Sequence, residues 1–123
     1  MRDVEYPYLN CLLHKVSLRR SCKVAIDAGH GVNGPLALRL FRELGCQVIP
    51  LYCEPDGTFP AHAPDPSEAE NLVDLAQAVV ENECDLGIAF DGDVDRIGIV
   101  DEKGEIVPPD VYLLLFTREA LRN

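Results

Sequence analysis

Short apolar runs alternate with amphipathic stretches along the whole chain. Tyr6, Leu9, Leu13 and Val16 recur at helical spacing and predict a first helix. KVAID (23–27) is a β-type run, followed at once by GHGVNG (29–34). Pro35 at a first helical position and Gly45 just past the last one bracket a second helix. Its buried face is Leu36, Leu40, Phe41 and Leu44. CQVIPLYC (46–53) predicts a second strand and EPDGTFPAHAPDP (54–66) a long Pro-rich loop. Ser67 and Glu70 form a capping-box pattern ahead of Leu72, Leu75, Ala76 and Val79, which predicts a third helix. DLGIAF (85–90) is a strand apolar on both faces, as in a covered parallel sheet. IGIVDEKGEIV (97–107) reads as a hairpin turning at 102–104, and Pro108 and Pro109 precede a last apolar helix, 110–121.

Strands alternating with helices in this way predict an α/β fold. The expected form is three-layer α/β/α, with a mostly parallel doubly wound sheet and a C-terminal β-hairpin and helix. Residues 1–123 are read as one α/β domain, long enough to bury a core without staples. Ligands of such sheets gather at the carboxyl ends of the strands. Both GHGVNG and DGDVDR (91–96) begin at such ends.

Composition narrows the function. Eleven basic and 21 acidic side chains give a formal charge of −10, which argues against nucleic acid and anionic membranes as partners. No apolar run reaches the ~20 residues of a membrane span, and the start lacks the pattern of a signal peptide, so a cytoplasmic setting is expected. Five widely spaced cysteines without a C-x-x-C pair fit free, mostly buried thiols better than zinc or disulfides.

Two loops carry candidate chemistry. Gly29, Gly31 and Gly34 match the dinucleotide fingerprint in spacing, with Glu54 as a ribose ligand. The alternative is that these glycines serve a tight turn and close helix–sheet packing, with His30 an ordinary loop side chain. In DGDVDR, Asp91, Asp93, Asp95 and Glu102 fall at positions 1, 3, 5 and 12 of a calcium loop. Arg96 occupies the sixth position, which needs glycine, and the flanks are strands rather than helices. An aspartyl-phosphate phosphatase would use Asp91 as nucleophile and Asp93 as acid/base, but Asp95 departs from that pattern. Three carboxylates without nearby His or Cys select a hard cation such as Mg²⁺, Mn²⁺ or Ca²⁺. Arg96 beside them suits a phosphate, so the loop reads as phosphoryl chemistry.

FDGDVDRIGIVDEKGEIVPPD (90–110) resembles the magnesium loop of the α-D-phosphohexomutases, the phosphomannomutase/phosphoglucomutase family. The resemblance extends upstream through KVAIDAGHGVNG, ELGCQVIPLYCEPDGTFPAHAPDPSEAENL and CDLGIAF, covering about 23–110. It implies that this chain is the second of four domains, with the remainder of the enzyme outside it. Asp91, Asp93 and Asp95 would then hold Mg²⁺, and Arg96 would be the catalytic residue near the transferring phosphoryl group. The implied partners are a hexose phosphate, of mannose or glucose, and a phosphoserine on another domain. Transfer would run through a 1,6-bisphosphate.

Some positions depart from the family pattern. Val94 stands where glycine is commonest and His30 where asparagine is usual. No serine lies in the family's Thr-x-Ser-His-Asn-Pro nucleophile motif, and the sugar-recognition and C-terminal phosphate motifs are missing too. Ser17 and Ser21 have no such setting, and Ser67 is read as a helix cap. The chain alone is therefore expected to be inactive, with no nucleophile of its own. A stand-alone phosphatase and a dinucleotide-binding module remain the alternatives.

Overall fold

The computed structural model describes residues 4–122. Its elements run α1 (Glu5–Lys15), β1 (Lys23–Asp27), α2 (Gly34–Glu43), β2 (Gln47–Leu51), a 3₁₀ turn (Ala69–Leu72), α3 (Val73–Glu81), β3 (Leu86–Phe90), β4 (Ile97–Val100), β5 (Ile106–Val107) and α4 (Pro109–Arg122). The sheet order is β2-β1-β3-β4-β5. β1 is parallel to β2 and β3, while β4 and β5 add on antiparallel, so the expected α/β architecture with its C-terminal hairpin is present. Pro50 is accommodated because β2 is an edge strand, where a missing N–H costs no ladder bond on the open side.

Alternation along β1 and β3 divides the core into two layers. Val24 and Ile26 face α2 in one cluster with Ala28, Ala37, Cys46 and Cys53. Ala25 and Ala89 face α3 in the other, against Leu72, Leu75, Val79 and Val100. The sheet surface under α3 is made of small residues, which lets three large side chains sink close to the backbone. A Cβ built on Gly87 would lie 2.7 Å from Val79 Cγ2 and 3.0 Å from Leu75 Cδ1, so glycine sets this approach distance.

Three expectations are corrected. Ser67 does not cap a helix: its hydroxyl donates to Asp65 Oδ1, and a 3₁₀ turn intervenes before α3 begins at Val73. In α2 the buried positions are Gly34 and Ala37, with Leu36, Leu40, Phe41 and Leu44 only half-buried. In α1, Leu9 is buried but Tyr6 is exposed, and Val16 lies past the helix end, also exposed. The five thiols are free, and Cys46, Cys53 and Cys84 are buried as expected. α4 is apolar but has no buried residue; Leu114 is 71% and Leu121 83% exposed. No described helix is long and apolar enough to cross a membrane.

Candidate metal centre

β3 is an apolar strand whose alternation places Ala89 on the α3 side, and Asp91 follows on that same side just past the strand end. Its carboxylate is almost wholly buried. The loop from Asp91 to Arg96 closes on itself: the Asp91 amide donates to the Arg96 carbonyl at 3.3 Å, and the Arg96 amide donates to Asp91 Oδ1 at 3.1 Å. Asp93 and Asp95 project outward and are exposed. One carboxylate oxygen from each of Asp91, Asp93 and Asp95 lies within 4.8 Å of the others. Among the described residues, no other group of three His, Cys, Asp or Glu comes together in this way.

The electrostatics of the cluster are uneven. Burial pushes the Asp91 carboxyl up, but hydrogen bonds from Asp95 and from the Arg96 backbone and side chain outweigh it and hold it well below the usual carboxylate range. Asp95 moves the other way, raised by its hydrogen bond to Asp91, by partial desolvation and by the neighbouring negative charges. Such crowded carboxylate oxygens suit a hard cation, which would relieve their mutual repulsion. The all-carboxylate donor set fits Mg²⁺, Mn²⁺ or Ca²⁺ and not a soft metal.

Arg96 spans this cluster and the Pro-rich loop. Its Nε donates to Asp91 Oδ2 at 3.1 Å and its Nη1 to Asp65 Oδ1 at 3.2 Å, while the side chain stays half exposed. Asp65 is held below its ordinary value by the hydroxyl and amide of Ser67, with Arg96 adding to the effect. Val94, inside the same loop, has a φ of +67°, a conformation that costs a β-branched residue most. Val94→Gly should therefore stabilise the chain by about 1 kcal/mol, read as a rise in Tm. An unchanged or lower Tm would mean that the Val94 side chain contributes contacts that offset the strain.

GHGVNG approaches the same edge. A Cβ on Gly31 would meet the carbonyl oxygens of Ala28 at 3.0 Å and Gly92 at 3.3 Å, and one on Gly34 would fall 2.0 Å from the Cys53 carbonyl oxygen. Packing accounts for both glycines, and two carbonyl oxygens face Gly31 where a pyrophosphate would need donors. His30 is a loop side chain whose Nδ1 meets the Glu54 carbonyl at 2.8 Å.

The sequence reading passed over a second polar cluster on the α3 side. Asp27, which ends β1, is buried; its Oδ1 accepts from the Gly29 amide at 2.8 Å and its Oδ2 meets His62 Nε2 at 2.8 Å. Tyr52 stacks edge-on against His62 and donates its hydroxyl to Asp74 at 2.7 Å, a bond that helps push the phenol up to about 12. An aspartate ending an apolar strand and a histidine in a Pro-rich loop were the available signals. Neither belongs to a spaced motif.

The fold and site together define a three-layer α/β/α domain with an acidic, arginine-bearing loop at the carboxyl edge of its sheet. A family model described as phosphoglucomutase/phosphomannomutase, alpha/beta/alpha domain II, matches residues 6–104. The chain belongs to that family, as its second domain. It is 45% identical over 122 residues to a phosphoglucomutase of Neisseria meningitidis, covering 99% of this chain and 26% of the relative. To a phosphomannomutase/phosphoglucomutase of Pseudomonas aeruginosa it is 45% identical over 119 residues, covering 97% and 26%. The crystal structure of a phosphoglucomutase/phosphomannomutase family protein from Burkholderia thailandensis superposes with a TM-score of 0.94 at 44% identity, over 98% of this chain and 26% of that one. The chain thus spans about a quarter of the length of these relatives. The family match begins in α1, upstream of the stretch where the sequence resemblance was read, and ends before α4.

Proposed function

We propose that this chain supplies the cation-holding part of the active site of a hexose phosphate mutase, interconverting hexose 1-phosphate and hexose 6-phosphate. The observation that carries the reading is the convergence of Asp91, Asp93 and Asp95 within 4.8 Å, with Arg96 fastened to the buried member. Asp91, Asp93 and Asp95 would hold Mg²⁺, which when bound neutralises charge on a transferring phosphoryl group. Arg96 is the catalytic residue of this half of the site. Two of its N–H groups are engaged by carboxylates, and its half-exposed guanidinium can meet a phosphoryl oxygen in transit. The serine that carries the phosphoryl group, the sugar-recognition groups and the 1,6-bisphosphate intermediate belong to other domains of the enzyme.

A phosphatase using Asp91 as nucleophile is less well supported. Both Asp91 oxygens accept from Arg96, which draws electron density away from the atom that would attack.

Two assays test the reading. The 123-residue chain, given glucose 1-phosphate or mannose 1-phosphate with Mg²⁺ and glucose 1,6-bisphosphate, should show no turnover. Turnover that Asp91→Asn removes would overturn the division of labour in favour of the phosphatase. In the full-length enzyme, Arg96→Ala should lower kcat about 10²-fold with a smaller change in KM, and Arg96→Lys should recover only part. A rise in KM alone would make Arg96 a ground-state anchor.

A further inference from the structure

The Pro-rich loop 54–66 lies against the acidic loop. A Cβ built on Gly92 would sit 3.5 Å from Pro64 Cγ and 4.0 Å from Phe59 Cζ. From this loop Asp65 reaches out to hold Arg96 Nη1, while His62, three residues earlier, points inward to the buried Asp27. Both nitrogens of His62 face oxygen acceptors: Nδ1 meets the Ala63 carbonyl at 2.7 Å and Nε2 meets Asp27 Oδ2 at 2.8 Å. Nδ1–H donates to the Ala63 carbonyl and a second proton lies between Nε2 and Asp27 Oδ2, so the pair is joined through a shared proton whichever group carries it. The side chain is 14% exposed and that of Asp27 is fully buried, which makes this a desolvated, proton-sharing pair and a firm anchor for the loop backbone.

We propose that His62 and Asp65 are positioning residues for Arg96: the Asp27–His62 pair fixes the loop, and the loop then presents Asp65 to aim the guanidinium. The assignment of Arg96 to the transferring phosphoryl group rests on the function proposed above; the aiming device stands on the contacts just described. Without Asp65 the guanidinium would keep only the Asp91 side, and its outer end would swing in solvent.

The pair also fixes a direction with pH. His62 faces Asp27 from β1, Tyr52 from the end of β2, Asp74 from α3 and the Ala63 carbonyl of its own loop. Burial works against the imidazolium, but the Ala63 carbonyl and Asp27 outweigh it and raise the group above its ordinary value. Burial likewise raises Asp27, partly offset by His62. Both directions mean that the pair holds its proton more firmly in the folded chain. The anchor is fully present below the ordinary histidine value of about 6.5 and is lost as pH rises through the higher folded value.

The test is NMR on the metal-free 123-residue chain without substrate, following the His62 ring titration and the ¹⁵N order parameter of Arg96 Nε. In wild type the order parameter should be high at pH 6 and fall with a midpoint equal to that of His62. Asp65→Asn, which keeps an Oδ1 acceptor for Ser67 but removes the charge facing Arg96, should lower it toward the flexible range (below about 0.6) while leaving the His62 titration unchanged. His62→Leu should lower it at every pH. An unchanged Arg96 order parameter in Asp65→Asn, or a His62 that titrates at or below its ordinary value, would overturn the proposal. Cation binding is not read in this experiment, so its failure leaves the metal reading to its own test.

Discussion

Gly34→Ala will leave the chain unfolded or lower its Tm by about 10 °C or more. The Cβ would be placed 2.0 Å from the Cys53 carbonyl oxygen and 2.6 Å from its carbon, both backbone atoms that cannot rotate aside. Relief requires α2 to move away from the segment after β2. That segment and helix share the cluster of Ile26, Ala37 and Cys53, so the movement opens a buried layer. Overpacking against rigid backbone costs about 3 kcal/mol or more, a large share of the ~5–15 kcal/mol that holds a domain folded. Gly57→Ala is the control, since nothing lies within 4 Å of its Cβ position. Thermal unfolding of both variants checks this, and a Gly34→Ala protein within a few degrees of wild type would contradict it.

The strands were readable because their signal is local and repeated. KVAID is β1 residue for residue, and DLGIAF and IGIV lie at β3 and β4. Leu72, Leu75 and Val79 were readable as a buried helical face for the same reason. The start of that helix was misread because the capping pattern at Ser67 is a pairwise signal with a competitor nearby. Asp65 takes the hydroxyl that would have capped, and the chain turns as 3₁₀ before α3. The acidic loop stood out because its carboxylates crowd into one short segment. The Asp27–His62 pair did not, since its partners are 35 residues apart and meet only once the Pro-rich loop folds back over β1. Val94 illustrates a third case: its residue type was noted as unusual for the family, and the positive φ supplies the physical reason.

Asp93→Ala should abolish cation binding by the isolated chain. With Asp91 buried and engaged by Arg96, the exposed carboxylates of Asp93 and Asp95 must contribute much of the attraction for an incoming cation. Removing one of three charged ligands from a site this open leaves too few oxygens to replace the hydration shell. An affinity loss of tenfold or more is expected, equivalent to at least ~1.4 kcal/mol. The same change also removes like charge from the cluster, so the metal-free fold should be as stable as wild type or slightly more so. Binding and stability therefore move in opposite directions. A variant that simply unfolded would lose both.

The most direct measurement is a Mn²⁺ titration of wild-type chain and Asp93→Ala, read by the paramagnetic enhancement of water-proton relaxation, with Tm taken on the same samples. Weak, saturable enhancement is expected for wild type and none for Asp93→Ala, with a Tm for the variant no lower than that of wild type. Equal enhancement in the two proteins would contradict the claim that the Asp91–Asp95 loop is the cation site.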